Sequence, residues 1–198
     1  MIIVGTGGLG KEVLSILMKD QYAGPIVFYD ENPGVAELIF EKFKVITKED
    51  ELITYIKNTD PQFVIGIGQP RIRERLSEKL KSLGGEFSQV ISQQSAISIL
   101  NKYPPGTIIE PFCGISHGLE MGEGCALHVH CSIGHAARIG KFVNVGPGAA
   151  VIGPIEIGDY SYIGAHAVIL PNIRIGKNVV VGAGCVVKED VPDFGTVV

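Results

Sequence analysis

Apolar residues recur at every sixth position along the second half of the chain, without a gap from Ile91 to Val187. A helix face would repeat every 3.6 residues and a half-buried strand every two. A period of six predicts a chain that turns a corner every six residues and points one side chain inward each time, as in a hexapeptide β-helix. The inward residues are Ile91, Ile97, Tyr103, Ile109, Ile115, Met121, Leu127, Ile133, Ile139, Val145, Val151, Ile157, Ile163, Ile169, Ile175, Val181 and Val187.

Two further positions of the repeat fit this interpretation. The residue after the apolar one is often glycine, and we expect glycine there because it tolerates the backbone angles of a tight corner. Those glycines are Gly122, Gly134, Gly140, Gly146, Gly158, Gly164, Gly176 and Gly182. Three sides make an 18-residue coil, so residues eighteen apart stack, and a little over five coils bury a shared core.

All four cysteines occupy one inward, small-residue position of the repeat: Cys113, Cys125, Cys131 and Cys185. We expect four buried thiols that behave as small apolar groups. Cys113 and Cys131 are eighteen apart, so a disulfide or a metal pair is the alternative, although no CxxC spacing supports it.

The first half of the chain alternates short apolar strands with helical patterns, which predicts a small parallel α/β sheet. Strands are expected at Met1–Gly5, Pro25–Asp30, Phe43–Thr47 and Gln62–Ile67, and helices at Gly8–Lys19, Glu49–Lys57 and Arg71–Leu83. The sequence therefore predicts a Rossmann-like α/β domain over residues 1–88 and a β-helix over residues 89–198.

Composition and charge argue against a nucleic-acid-binding protein and against a membrane protein. The net charge of −4 and the absence of a dense Lys/Arg run argue against a nucleic-acid partner. No apolar stretch of about 20 residues predicts a membrane span. The N-terminal MIIVGTGG has no basic region and is interpreted as a strand rather than a signal peptide. We expect a cytoplasmic protein.

A glycine-rich loop in the first half carries the clearest binding motif. Residues 5–10, Gly-Thr-Gly-Gly-Leu-Gly, match G-x-G-x-x-G between a strand and a helix, and an acidic residue follows at the end of the next strand. About 88 residues are too few for a two-halved dinucleotide domain, so a nucleotide-sugar is as good a ligand as NAD. A turn without a ligand is the alternative. Candidate substrate-binding residues are Gly7, Gly8, Leu9, Asp30, Glu31 and, from a second loop, Gly68.

Four segments carry a family resemblance: GTGGLGKEV, FYDENP, VIGIGQPRIR and the repeat from SIGHAARIG to VVKEDVP. Over essentially its whole length the chain resembles the bacterial sugar O-/N-acetyltransferases of the sialic-acid O-acetyltransferase and UDP-bacillosamine N-acetyltransferase type. The resemblance implies a left-handed β-helix, a homotrimer, acetyl-CoA in the cleft between adjacent helices and a nucleotide-linked sugar on the first domain. No metal is expected, because no third residue completes a set of zinc ligands.

The resemblance also assigns roles to individual residues. His135 matches the general base in the motif Ile-x-His-(Asp/Glu)-x-x-Ile-Gly, but Ala136 replaces the usual acid. Acetyl-CoA is expected along four residues, with its adenine end towards Lys188: Asn144, Gly153, Ala165 and Ala183. Asn144 replaces a second family histidine. His117, eighteen residues before His135, is expected to stack beneath it. There it tunes His135 or holds substrate, or it is a surface histidine without a role.

Two other functions stay open at this point. Ala136 and Asn144 favour a trimeric protein that binds nucleotide-sugar or CoA but catalyses poorly. The other is a zinc-dependent lyase on the same β-helix. His130 and His135 follow part of the spacing of a zinc site in β-helical carbonic anhydrases, although Gln94 stands where a third ligand is expected.

Overall fold

Parallel strands alternate with helices in the first unit, Met1–Val90, of the computed structural model, which describes residues 1–198. Its elements are β1 (Ile2–Val4), α1 (Gly8–Lys19), β2 (Val27–Tyr29), β3 (Leu38–Ile39), β4 (Phe43–Ile46), α2 (Glu49–Asn58), β5 (Gln62–Ile65), α3 (Pro70–Ser82) and β6 (Glu86–Phe87). The sheet order is β3-β4-β2-β1-β5-β6, and only β3 runs antiparallel to its neighbour. The predicted α/β fold is confirmed.

Apolar faces of the strands and helices form the core of this unit. Ile2, Val4 and Phe63 lie within it from the sheet, and Leu52 and Leu80 pack against them from the helices. The strands β3 and β6 were not predicted, because two residues are too few to show a period of two. None of the three helices has the length and hydropathy that a membrane span requires.

The second unit, Ile91–Val198, is a parallel β-helix. Its strands, which begin where the two units join, are β7 (Val90–Ile91), β8 (Ala96–Ile97), β9 (Ile108–Ile109), β10 (Gly114–Ile115), β11 (Glu120–Met121), β12 (Ala126–Leu127), β13 (Ser132–Ile133), β14 (Ala137–Ile139), β15 (Asn144–Val145), β16 (Ala150–Val151), β17 (Ile155–Ile157), β18 (Tyr162–Ile163), β19 (Val168–Ile169), β20 (Arg174–Ile175), β21 (Val180–Val181), β22 (Val186–Val187) and β23 (Thr196–Val197).

These strands form three sheets, which we name in chain order. The first face contains β7, β9, β12, β15, β18, β21 and β23; the second contains β8, β10, β13, β16, β19 and β22; the third contains β11, β14, β17 and β20. Between β8 and β22 the paired residues are eighteen apart, as in Ile115 with Ile133 and Ile133 with Val151. The 18-residue coil predicted from the sequence is therefore present.

The side chains predicted to point inward form the core of the helix. They are buried from Ile109 to Val187 with one exception, Met121, which is half-buried. Ile91, Ile97 and Tyr103 are also half-buried, because they lie in the first coil, where the stack ends. The period of six thus predicted the core correctly.

The reason given for the repeat glycines was wrong. None of them has a positive φ; the left-handed residue of each corner comes two positions later and is often not glycine, as at Ala136 (φ 52°) and Phe142 (φ 54°). Glycine is needed instead because the next coil passes directly over it. A Cβ on Gly122 would lie 2.6 Å from the Lys141 nitrogen.

The cysteines follow the prediction in three cases out of four. Cys113, Cys125 and Cys131 are buried, but Cys185 is only half-buried because no complete coil covers the far side of its coil. None forms a disulfide. The Cys131 thiol donates to Cys113 Sγ over 3.6 Å, and this hydrogen bond together with burial raises the pKa of Cys131. A thiol held protonated in this way is a packing group rather than a nucleophile.

Candidate active site

Two glycine loops meet at the carboxyl edge of the sheet in the first unit. The first joins β1 to α1 and the second joins β5 to α3. Gly7 and Gly8 are exposed, and a Cβ on either would meet nothing within 4 Å. The first N–H groups of a helix have no partner within the helix, so the start of α1 is suited to bind an anion. Gly68, in the second loop, is also exposed.

Leu9 does not line this surface with its side chain. It is 8% exposed and packs into the core, which leaves only its backbone for a ligand. The expectation that Leu9 contributes to substrate binding is corrected to that extent, because the helical turn from Gly8 points the residue inward.

Asp30 fixes the first glycine loop. Its Oδ2 accepts hydrogen bonds from the Thr6 N–H at 3.1 Å and the Thr6 hydroxyl at 2.7 Å, while its Oδ1 accepts from the Asn32 N–H at 3.0 Å. The carboxylate that the sequence suggested for a sugar or base is therefore engaged within the domain, where it holds Thr6 and hence the turn beside Gly7.

Glu31 is occupied by cations from α3. Its carboxylate lies 2.7 Å from Arg75 Nη2 and 3.0 Å from Lys79 Nζ. The hydrogen bond from Arg75, helped by Lys79, lowers the pKa of Glu31. Glu31 thus connects the end of β2 to α3, and this pairing explains its position without a substrate contact.

The two histidines of the predicted site come together at the corner between the second and third faces. His117 and His135 lie on adjacent coils with their ring centroids 6.1 Å apart and their planes within 17°. Both are exposed. The Ser116 hydroxyl lies 3.4 Å from His117 Nδ1, whereas His135 makes no hydrogen bond within the chain.

The backbone beneath His135 is tightly packed. Gly153 follows on the next coil and is buried, and a Cβ there would overlap the His135 carbonyl oxygen. The position therefore requires glycine, which keeps the corner narrow at the point where His135 projects.

Asn101 holds the corner that carries His117, and sequence reasoning missed it. Its Nδ2 donates to the Ser116 carbonyl at 2.8 Å, and its Oδ1 accepts from the Leu119 N–H at 3.2 Å. One amide therefore bridges both ends of the turn around His117. The available signal was its spacing, since Asn101 lies eighteen residues before Leu119.

A groove of about 460 Å³ runs along the third face beside this corner. Its wall is a ladder of alternating charges, Glu120, Arg138, Glu156 and Arg174, on adjacent strands. The ion pairs are long and exposed: Arg138 lies 3.4 Å from Glu120 and 3.4 Å from Glu156. The groove presents both signs of charge next to His135 and Ala136.

The residues expected along acetyl-CoA do not form one surface of a single chain. Gly153 shares a corner with His135, whereas Ala165 and Ala183 lie at the corner between the first and second faces. Asn144 belongs to the first face and is 1% exposed, so its side chain lacks the exposure that a CoA contact needs. His130 also lies at the corner with Ala165, away from His135, so one chain does not assemble the zinc site considered above.

Comparisons with known proteins agree with this architecture. The family model described as the PglD N-terminal domain matches residues 1–80, and the bacterial transferase hexapeptide model matches residues 136–171 and 154–189. The acetyltransferase domain of PglB from Neisseria gonorrhoeae FA1090, solved with acetyl coenzyme A, is 25% identical. Its TM-score is 0.88, and the match covers 98% of this chain and 93% of that one. The chain belongs to the bacterial hexapeptide-repeat sugar acetyltransferases.

Two further solved structures are similar to this acyltransferase. WeeI from Acinetobacter baumannii AYE is 26% identical with a TM-score of 0.85, covering 98% of this chain and 94% of that one. A variant of perosamine N-acetyltransferase from Caulobacter crescentus, in complex with CoA and GDP-perosamine, is 23% identical with a TM-score of 0.90. That match covers 97% of this chain and 90% of that one and bears on the fold. No curated relative matches in sequence.

The family fixes the hand of the second unit and the class of the enzyme. The β-helix is left-handed, as the resemblance implied, and the chain is an acyltransferase with a PglD-type N-terminal domain.

Proposed function

We propose that this acyltransferase moves an acetyl group from acetyl-CoA to an amine or hydroxyl of a nucleotide-linked sugar. The observation that carries the proposal is His135, an exposed imidazole at a coil corner, stacked 6.1 Å from His117 beside an open groove. The ligands of the similar structures, acetyl coenzyme A in one and CoA with GDP-perosamine in another, support the two substrates.

In the proposed reaction His135 acts as a general base. Its free ring nitrogen takes the proton of the acceptor as the amine or hydroxyl attacks the thioester carbonyl. A C–N or C–O bond forms, the C–S bond breaks, and the CoA sulfur leaves with the proton returned by the imidazolium. No covalent enzyme intermediate is required, which fits the burial of Cys113, Cys125 and Cys131.

We assign the nucleotide-linked sugar to the first unit. Gly7, Gly8 and Gly68 are exposed at the starts of two helices, where backbone N–H groups and the helix dipoles favour phosphate oxygens. Asp30 contributes by holding Thr6 rather than by contacting the sugar. The nucleoside diphosphate, rather than NAD, is the ligand that this small domain accommodates.

The acyl donor requires a second copy of the chain. Because Ala165 and Ala183 lie at a different corner from His135 and Gly153, a cleft that uses all four forms only between two helices. We therefore propose a cytoplasmic homotrimer with acetyl-CoA in each cleft, extending towards Lys188. The donor site needs no metal.

Replacing His135 tests the proposal. His135→Ala should lower acetyl transfer by about 10²–10⁴-fold, measured as release of the CoA thiol with a panel of UDP- and GDP-linked amino sugars. Acetyl-CoA binding, followed by calorimetry, should persist. Lys57→Ala is the control, since Lys57 is exposed near the end of α2 and belongs to none of the proposed binding surfaces. Full activity of His135→Ala would exclude His135 as the base.

A second function is favoured by one observation, the absence of a carboxylate hydrogen-bonded to His135. In that case the chain binds both ligands but turns over poorly. Wild-type protein that binds acetyl-CoA and a nucleotide-sugar without transferring the acetyl group would select this alternative.

A further inference from the structure

Arg73 is the largest fully buried side chain of the protein. It lies in the first turn of α3 and is 1% exposed. A guanidinium remains charged in proteins, and its burial is costly unless its donors are satisfied. Such a residue is therefore expected to form hydrogen bonds that a neutral apolar side chain would not supply.

Two hydrogen bonds of Arg73 reach the second glycine loop. Its Nη1 donates to the carbonyl oxygens of Ile67 and Gly68, each at 3.0 Å. These are consecutive peptide groups directly before α3. Because the planar guanidinium fixes the direction of its donors, it orients both peptides at once.

The second glycine loop in turn packs against the first without space between them. A Cβ on Gly66 would lie 2.6 Å from the Gly10 nitrogen, and one on Gly5 would lie 2.7 Å from Ile67 Cγ1. Backbone therefore touches backbone, and a shift of the Gly66–Gly68 segment displaces the Gly5–Gly10 loop as well.

We propose that Arg73 is a positioning residue that sets the geometry of both glycine loops for the phosphates of the nucleotide-linked sugar. The inference rests on the nucleotide site of the proposed function. Arg73 is too buried to touch the ligand, and it acts through Ile67 and Gly68. It is a specific determinant of nucleotide affinity and not of acetyl-CoA affinity.

The test compares two cationic side chains of α3. Arg73→Met removes the hydrogen bonds and the charge beneath the loop, whereas Lys81→Met changes an exposed side chain in the last turn of the same helix. UDP and GDP serve as probes, titrated into the full chain by calorimetry. We expect Arg73→Met to weaken their binding at least tenfold, with Lys81→Met unchanged. Both variants should bind acetyl-CoA as the wild type does.

Arg73→Lys keeps the charge and a flexible ammonium group that can still donate hydrogen bonds, so it should fold where Arg73→Met does not. We expect intermediate nucleotide affinity. Hydrogen exchange should become faster in residues 5–10 and 66–68 together and stay unchanged in the β-helix. The proposal is overturned if both variants match the wild type in nucleotide affinity and in hydrogen exchange. If Arg73→Met does not fold, the same result for Arg73→Lys alone overturns it.

The wild type separates this inference from the proposed function. If wild-type protein binds neither UDP nor GDP, the nucleotide site itself is wrong and the positioning role falls with it. If it binds them and the Arg73 variants bind equally well, only the role of Arg73 is wrong.

Discussion

At the scale of the residue, the backbone of Ala136 is as informative as its missing carboxylate. Ala136 follows His135 and has a left-handed φ of 52°. For an L-residue with a Cβ this conformation costs roughly 1–2 kcal/mol, whereas aspartate and asparagine enter it more readily. An aspartate at this position would therefore adopt the left-handed backbone at lower cost and place a carboxylate beside His135.

We predict that Ala136→Asp raises the turnover number roughly tenfold, a fraction of what general-base catalysis contributes. A carboxylate near the second ring nitrogen would fix the tautomer of His135 and strengthen it as a base. The measurement is the rate of CoA thiol release at saturating substrates.

Ala136→Gly is the control for this variant. It relieves the same backbone cost by about 1 kcal/mol without adding a carboxylate, so it should raise the melting temperature and leave turnover unchanged. Equal turnover in the wild type and Ala136→Asp would show that the base does not depend on an acid here.

At the scale of the element, the stacking of the coils depends on the glycine that follows the inward apolar residue, because the backbone of the next coil passes close to it there. A Cβ on Gly122 would lie 2.6 Å from the Lys141 nitrogen of the next coil. The side chains of the third face add little by comparison, because exposed ion pairs such as Arg138 with Glu156 contribute about 0–1 kcal/mol.

We predict that Gly122→Ala lowers the free energy of unfolding by about 1–3 kcal/mol, since the added methyl group forces two backbone segments apart. Gly114→Ala is the matched control: it lies in a strand, and its Cβ would meet nothing within 4 Å. Urea unfolding of both variants provides the measurement. Equal losses of stability would mean that close approach is not the reason for glycine.

The ion pairs that connect Glu31, after β2, to α3 predict that stability depends on pH. Arg75 and Lys79 lower the pKa of Glu31 in the folded protein. The contribution of Glu31 to the free energy of unfolding is therefore complete above the unfolded pKa of about 4.3, and it is lost as the pH falls through the folded pKa. Glu31→Gln should therefore be less stable than the wild type at pH 7, by up to about 1 kcal/mol, and nearly equal to it near pH 3.

Glu78→Gln on α3 is the control for this pH effect, because Glu78 is exposed and has no ion pair. Its stability should follow the wild type across the same range in urea unfolding. A constant difference between Glu31→Gln and the wild type from pH 7 to pH 3 would contradict the assignment.

At the scale of the whole molecule, the chain is an α/β unit and a left-handed β-helix whose candidate donor residues are divided between two corners. This division carries the case for assembly, because no single helix brings His135 together with Ala165 and Ala183.

We predict that light scattering at micromolar concentration gives a mass three times the 21.1 kDa of one chain. Acetyl-CoA binding should weaken on dilution to the point where the trimer dissociates. A monomer mass accompanied by full activity would contradict a site built between helices.

The sequence by itself determined the β-helix, its inward residues and the order of the α/β elements. This was possible because both patterns are local. The β-helix shows one inward apolar residue in every six, and each α-helix shows one apolar face, whatever these elements pack against. It also marked His135, because the residues around it carry the family motif.

Only the tertiary structure decided how the polar residues are used. Asp30 holds Thr6, Glu31 pairs with Arg75 of α3, and Arg73 is buried beneath the loop that precedes its own helix. Each of these contacts depends on how the loops and helices are folded together. The reason for the repeat glycines is likewise non-local: it lies in the backbone of the next coil, nineteen residues away in the case of Gly122 and Lys141, and not in the corner where the glycine stands.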